Sequence, residues 1–223
     1  MMWIARCFRS VAVLSLACAL PVFAREPSQS WPDTVLSRTQ ALAELQTLNA
    51  ELLSHPSATL TLERWCSAHH LAPDAHIVAH RVHGADKPLP ADARALLGMG
   101  PHEPVRYRRV ALSCGDIVLS DADNWYVPAR LTEAMNQQLD NSDVPFGKVV
   151  QPLHFRRQTL SADLLWSPLP PGWDAGAPLP PASNKPLTIP DHILQHRAVL
   201  YTADNQPFSL VVESYTGHVL AHP

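Results

Sequence analysis

The sequence is short of the motifs that announce most enzymes. No G-x-x-x-x-G-K-[ST] phosphate loop occurs, no serine sits in a G-x-S-x-G elbow, and no C-x-x-C is present. Phosphoryl transfer, elbow-type hydrolysis and thiol redox chemistry are therefore poorly supported. Positive charge is short too: 17 Lys and Arg stand against 20 Asp and Glu in 223 residues, with no basic stripe. That balance argues against a nucleic-acid partner. Long apolar runs are also missing. The longest, Val11 to Leu20, is about half the ~20 residues a membrane-spanning helix needs.

That run belongs to a different pattern. Arg6 and Arg9 precede it and "VFA" (Val22 to Ala24) follows it, which together read as a secretory signal peptide over residues 1–24. Cleavage after Ala24 is expected, placing the mature chain in the periplasm or outside the cell. Cys18 in "SLAC" leaves lipidation open. Residues 25–223 suit one domain. Of four cysteines, Cys7 and Cys18 leave with the signal, and Cys66 and Cys114 remain. They are either a disulfide in an exported protein or two separate buried thiols.

What is present reads as helices followed by strands. Trp31 to His55 carries Leu36, Leu42, Leu45, Leu48, Leu52 and Leu53 at helical spacings. A second short helix follows Pro56, and Ala75 to Gly84 has strand character. Val105 to Pro128 reads as two strands joined near "CGD". Ala129 to Leu139 reads as a helix behind Pro128. One or two strands then run through "KVVQPLHFRRQTLSADLLW". Ser167 to Pro190 contains eight prolines and must be an extended loop. Two last strands flank the turn "ADNQ". The sum is an α+β fold, helices first and an antiparallel sheet after.

Twelve histidines suggest a metal. On a strand, however, His76 and His80 would stand ~13 Å apart, with His83 on the other face. The same objection holds for His192 and His196, so no metal is expected. Two charged groups in apolar settings draw notice instead. Arg109 enters a strand in "RYRRVALSC", and Glu213 ends the apolar run of "FSLVVESY". A carboxylate there is costly to bury unless it is paired. Two readings stay open: a structural ion pair or solvated face, and a pocket in which arginine clamps an anion.

The order "RYRRVALSC", "DNWYVPARLT", "VPFGK" and P-x-S-L-x-x-E resembles the chorismate pyruvate-lyase family over Thr59 to Tyr215. That fold is shared with ligand-sensing domains of certain bacterial transcription regulators. The resemblance implies an antiparallel sheet with flanking helices enclosing a buried ligand pocket. It implies elimination of pyruvate from chorismate to give 4-hydroxybenzoate, with no metal and no cofactor. It assigns the carboxylate clamp to Arg109. A turn amide would come from "PFGK" at Phe146, with Gly147 allowing close approach. A helix amide would come near Thr61, and the partner of the para oxygen would be Glu213. Glu213 falls six residues after Pro207 rather than five, which leaves its strand face open. The expected partner is a small aromatic carboxylate, and the expected state is a monomer. Three functions compete: a lyase, a non-catalytic periplasmic binder of an aromatic acid, and an interaction protein that uses the proline loop.

Overall fold

The computed structural model describes residues 30–84 and 86–220. The predicted signal segment, residues 1–24, lies outside them. Thr34 caps helix α1 (Val35–Ser54), its side chain accepting from the Ser37 amide, and Ser57 caps α2 (Ala58–Ala68) in the same way. The buried face of α1 is Ala41, Leu45, Leu48 and Leu52. Leu36 and Leu53, expected in the stripe, are 68% and 48% exposed. Leu36 lies nine residues before Leu45, about half a turn away around a 3.6-residue helix.

Six strands follow: β1 (Ile77–Val82), β2 (Arg106–Cys114), β3 (Ile117–Tyr126), β4 (Arg156–Leu164), β5 (His192–Tyr201) and β6 (Pro207–Thr216). They form one antiparallel sheet in the order β1-β2-β3-β6-β5-β4. This is the expected α+β class, an antiparallel sheet with flanking helices. Three short helices fill the connections: α3 (Ala93–Leu96), α4 (Glu133–Asn141) and α5 (Phe146–Val149). The helix expected over Ala129 to Leu139 starts later, because Pro128–Arg130 forms a separate 3-10 turn and Thr132 caps α4. The proline loop is extended as expected, broken by one 3-10 turn at Trp173–Ala175.

Cross-strand register decides which side chains share a face. Val110, Ala122, Glu213 and His196 form one row; Arg108, Asn124, Val211, Ala198 and Thr159 form the next. A third row runs Arg106, Tyr126, Ser209, Leu200, Arg157. All lie on the inner face. At one end of it, α1 and α2 pack through Leu45, Leu48, Leu62 and Trp65. At the other, α4 and α5 pack through Met135, Leu139, Phe146 and Val149. On the outer face a smaller cluster joins Ala93 and Leu97 to Trp125, Val199 and Leu210.

Cys66 and Cys114 form a disulfide with Cα atoms 6.5 Å apart, tying α2 to the end of β2. Both residues are fully buried.

Candidate functional site

Where the two inner-face clusters meet, the packing leaves a cavity of about 40 Å³. Its floor is Val110, Ala122, Asn124, Val211 and Glu213 from three central strands, with Arg157 at the side. Its roof is the start of α2 (Ser57 to Thr59) and the α5 turn at Phe146 and Gly147. A second chamber of about 180 Å³, lined by Lys148 and His154, shares the walls Pro56, Ser57, Gly147 and Phe155 with it. The inner space holds about three waters. A larger guest must displace Phe155 or Phe146 toward the outer chamber.

Arg157 is the principal charge of this cavity. Its side chain is 6% exposed, and Nη2 lies 2.7 Å from Glu213 Oε2. The approach is close but poorly angled, and neither Nε nor Nη2 has a well-aligned acceptor. Burial, the largest single influence, works to lower the Arg157 pKa, but Glu213 and Tyr215 together outweigh it and the net direction is up. The guanidinium is therefore a permanent cation with donors to spare. Tyr215 donates its hydroxyl to the same Glu213 oxygen at 3.1 Å. Burial, and then the neighbouring Glu213, push the Tyr215 pKa well above its ordinary value, so the phenol stays neutral. His196, on the same row as Glu213, binds Asn49 Oδ1 through Nε2 at 2.8 Å. Burial, then Arg157, lower its pKa to about 4.

Two further groups suit a ligand. Asn124 is 2% exposed and lines the cavity, and its side-chain amide makes no hydrogen bond among the described residues. The amides of Ala58 and Thr59, in the first turn of α2, have no intrahelical acceptor and sit at the positive end of the helix dipole. A cation, free amides and an unpartnered side-chain amide around one cavity can hold a small anion with a polar far end.

The structure redistributes the residues singled out from sequence. Glu213 faces the cavity, which answers the register question, but an arginine absent from that reading already engages it. Phe146 is 5% exposed. Its ring lies 5.4 Å from Tyr126 and 6.4 Å from Phe208, which is why the turn carries an aromatic side chain. Gly147 lines both chambers, but an added Cβ would meet only Ser57 Oγ at 3.7 Å, so close approach does not require glycine.

Arg109 is not in the cavity. Strand period two turns it to the outer face, where Nη2 lies 3.7 Å from Asp121 and Nε lies 4.0 Å from Asp123. Its neighbour Arg108 takes the inner face and is 2% exposed, donating from Nη2 to the carbonyls of Ser142 and Val144. Burial, then Arg81, lower the Arg108 pKa to about 10. Thr61 is also misplaced. It lies inside α2 with its amide bonded to Ser57 O at 3.1 Å, and Thr59 is the threonine that lines the cavity. Arg157 was legible only as the second arginine of "FRRQT", whose inward face depends on pairing with Leu200. The histidines take separate roles: His76 pairs with Glu63, and His192 with Asp121. No group of three or more metal-ligating side chains converges among the described residues.

No protein-family model matches the chain. PhnF from Mycobacterium smegmatis is similar at 15% identity and TM-score 0.48, over 74% of this chain and 66% of that one. Its effector domain alone gives 15% identity and TM-score 0.46, over 73% and 89%. The C-terminal domain of the histidine utilization repressor from Pseudomonas syringae pv. tomato gives 13% and 0.41, over 65% and 94%. At such values these likenesses carry no argument about ligand or role. The fold class rests on the chain's own topology. The uncharacterized protein y4mC of Sinorhizobium fredii (strain NBRC 101917 / NGR234) is 59% identical over 196 residues, which are 87% of this chain and 83% of that protein. The chain therefore belongs to the same family as y4mC.

Proposed function

We propose that this protein is an exported binding protein for a small aromatic carboxylate, held in the inner cavity by Arg157. One observation carries the reading. A buried cation with unaligned donors faces a small cavity beside the free amides of a helix start, and the sheet offers it one carboxylate, Glu213. The ligand carboxylate meets Arg157 and the α2 amides, Asn124 meets a polar group at the far end, and the ring takes the space opened as Phe155 or Phe146 moves toward the outer chamber. Export is supported by the N-terminal pattern and by the Cys66–Cys114 disulfide, a bond typical of oxidising compartments.

Calorimetry with 4-hydroxybenzoate tests this reading. Loss of a charge-assisted contact should weaken binding in Arg157→Met about tenfold to hundredfold. Arg109→Ala should bind like wild type. Because Arg157→Met strands Glu213, the double variant Arg157→Met/Glu213→Gln serves as the folded control and should be equally weak. Wild-type affinity in the double variant, or no binding by the wild type, removes the assignment.

Elimination of pyruvate from chorismate is the second reading, favoured by Glu213 on the cavity floor, which takes a hydrogen bond from the buried Tyr215. It ranks lower because Arg157 and Tyr215 already engage the Glu213 carboxylate. Release of 4-hydroxybenzoate from chorismate, lost in Glu213→Gln, would reverse the ranking.

A further inference from the structure

A roomier cavity lies elsewhere. A cleft of about 430 Å³ opens beyond the far end of the sheet, between Trp31, the end of the proline loop (Leu187 to Pro190), Asp121 of β3 and the chain after β6. That volume is within the range of small-molecule sites, roughly 300–1,000 Å³. Its walls are built tightly. A Cβ on Gly217 would fall 2.6 Å from Ile189 Cγ2 and 2.9 Å from Pro190 O, so only glycine lets the strand end and the loop meet there. The Gly217 amide is bonded to Asp191 O at 3.1 Å, and the amide of Leu187 to Trp31 O at 2.8 Å.

The chemistry of this cleft is opposite to that of the inner cavity. Among the described residues no lysine or arginine lines it; two carboxylates, Asp121 and Asp191, and two imidazoles, His192 and His218, do. Asp121 Oδ2 takes a hydrogen bond from His192 Nε2 at 2.8 Å. Its Oδ1 has only Arg109 at 3.7 Å, beyond hydrogen-bond length. The Asp191 carboxylate accepts no hydrogen bond and joins no ion pair among the described residues. Opposite them stand Trp31, Leu187 and Ile189. Trp31 is 2% exposed, and its indole Nε1 has no acceptor.

We infer that this cleft is a second binding site, for an organic ammonium with an apolar body. The ammonium meets Asp191 and the open oxygen of Asp121, and the body lies on Trp31, Leu187 and Ile189. Charge selects the class: an anion of the same shape would face two carboxylates with no lysine or arginine among the described lining residues, and His192 is already turned to Asp121. The inference is independent of the inner cavity and survives if that site fails.

The probe is 2-phenylethylamine, titrated into the full protein while the Trp31 indole and Gly217 amide resonances are followed, with 3-phenylpropionate as the isosteric anion. Saturable shifts are expected with the amine at about millimolar concentration, and none with the acid. Asp191→Asn, at an exposed position, should weaken the amine about tenfold, as expected for one charge-assisted bond. Arg157→Met/Glu213→Gln should leave amine binding unchanged. The site is refuted if neither resonance moves with the amine, if the acid binds equally well, or if Asp191→Asn has no effect.

Discussion

At the scale of single residues, the inner face of the sheet is unusual in carrying charge where apolar side chains would pack. Arg157 and Glu213 are both nearly buried and lie 2.7 Å apart. Removing one partner of such a pair costs about 3–5 kcal/mol, because the other is left uncompensated. Their neighbour His196 makes this region sensitive to acid. Its pKa falls from 6.5 to about 4 on folding, by burial first and by Arg157 second. Between those values the unfolded chain binds a proton that the folded chain does not, so stability is full above 6.5 and is lost as pH falls toward 4. From about pH 7 to pH 5 this one group should remove about 2 kcal/mol. Urea unfolding at both values should show that much smaller a loss in His196→Gln, which retains a donor for Asn49. Equal losses in the two proteins would remove His196 as the cause.

At the scale of elements, α2 does two jobs with one end. Ser57 accepts the Leu60 amide at 3.3 Å, which fixes the first turn and leaves the Ala58 and Thr59 amides over the cavity. Ser57→Ala should therefore cost about 1 kcal/mol in urea unfolding, and Ser57→Gly only a few tenths. An alanine variant as stable as wild type would show that the cap does not hold this helix. Most elements were legible beforehand. Apolar, β-branched stretches marked β2, β3, β5 and β6, and proline and glycine marked the breaks between them. The α4 start was missed because Pro128 and Thr132 are both good helix openers, four residues apart, and only packing of Met135 and Leu139 against the sheet chooses between them.

At the scale of the whole molecule, the disulfide joins residues 48 apart and binds α2 to the sheet. In the chain-entropy picture, closing such a loop stabilises the fold by about 4 kcal/mol. Cys66→Ala/Cys114→Ala should lose about that much in denaturant, and less than about 1 kcal/mol would show that packing alone seats α2. The proposed export would give the bond an oxidising compartment. Mature periplasmic protein should begin at Arg25 by mass spectrometry, and an intact Met1 would place the chain elsewhere.

The sequence by itself determined the class of fold, the order of helices and strands, and the short list of polar groups in apolar surroundings. These are properties of local pattern: period, caps and breakers act over a few residues and need no partner. Which arginine meets the cavity was not among them. Arg108 and Arg109 are adjacent, and a shift of one residue exchanges their faces. The choice is made by the pairing of Arg108 with Asn124 and of Arg109 with Asp123, forty or more atoms away along the chain. Arg157 is further still from Glu213 in sequence, and no local signal links them. Only the closing of β4 and β6 on opposite sides of β5 brings a cation from one strand to a carboxylate on another, and burial then makes each indispensable to the other.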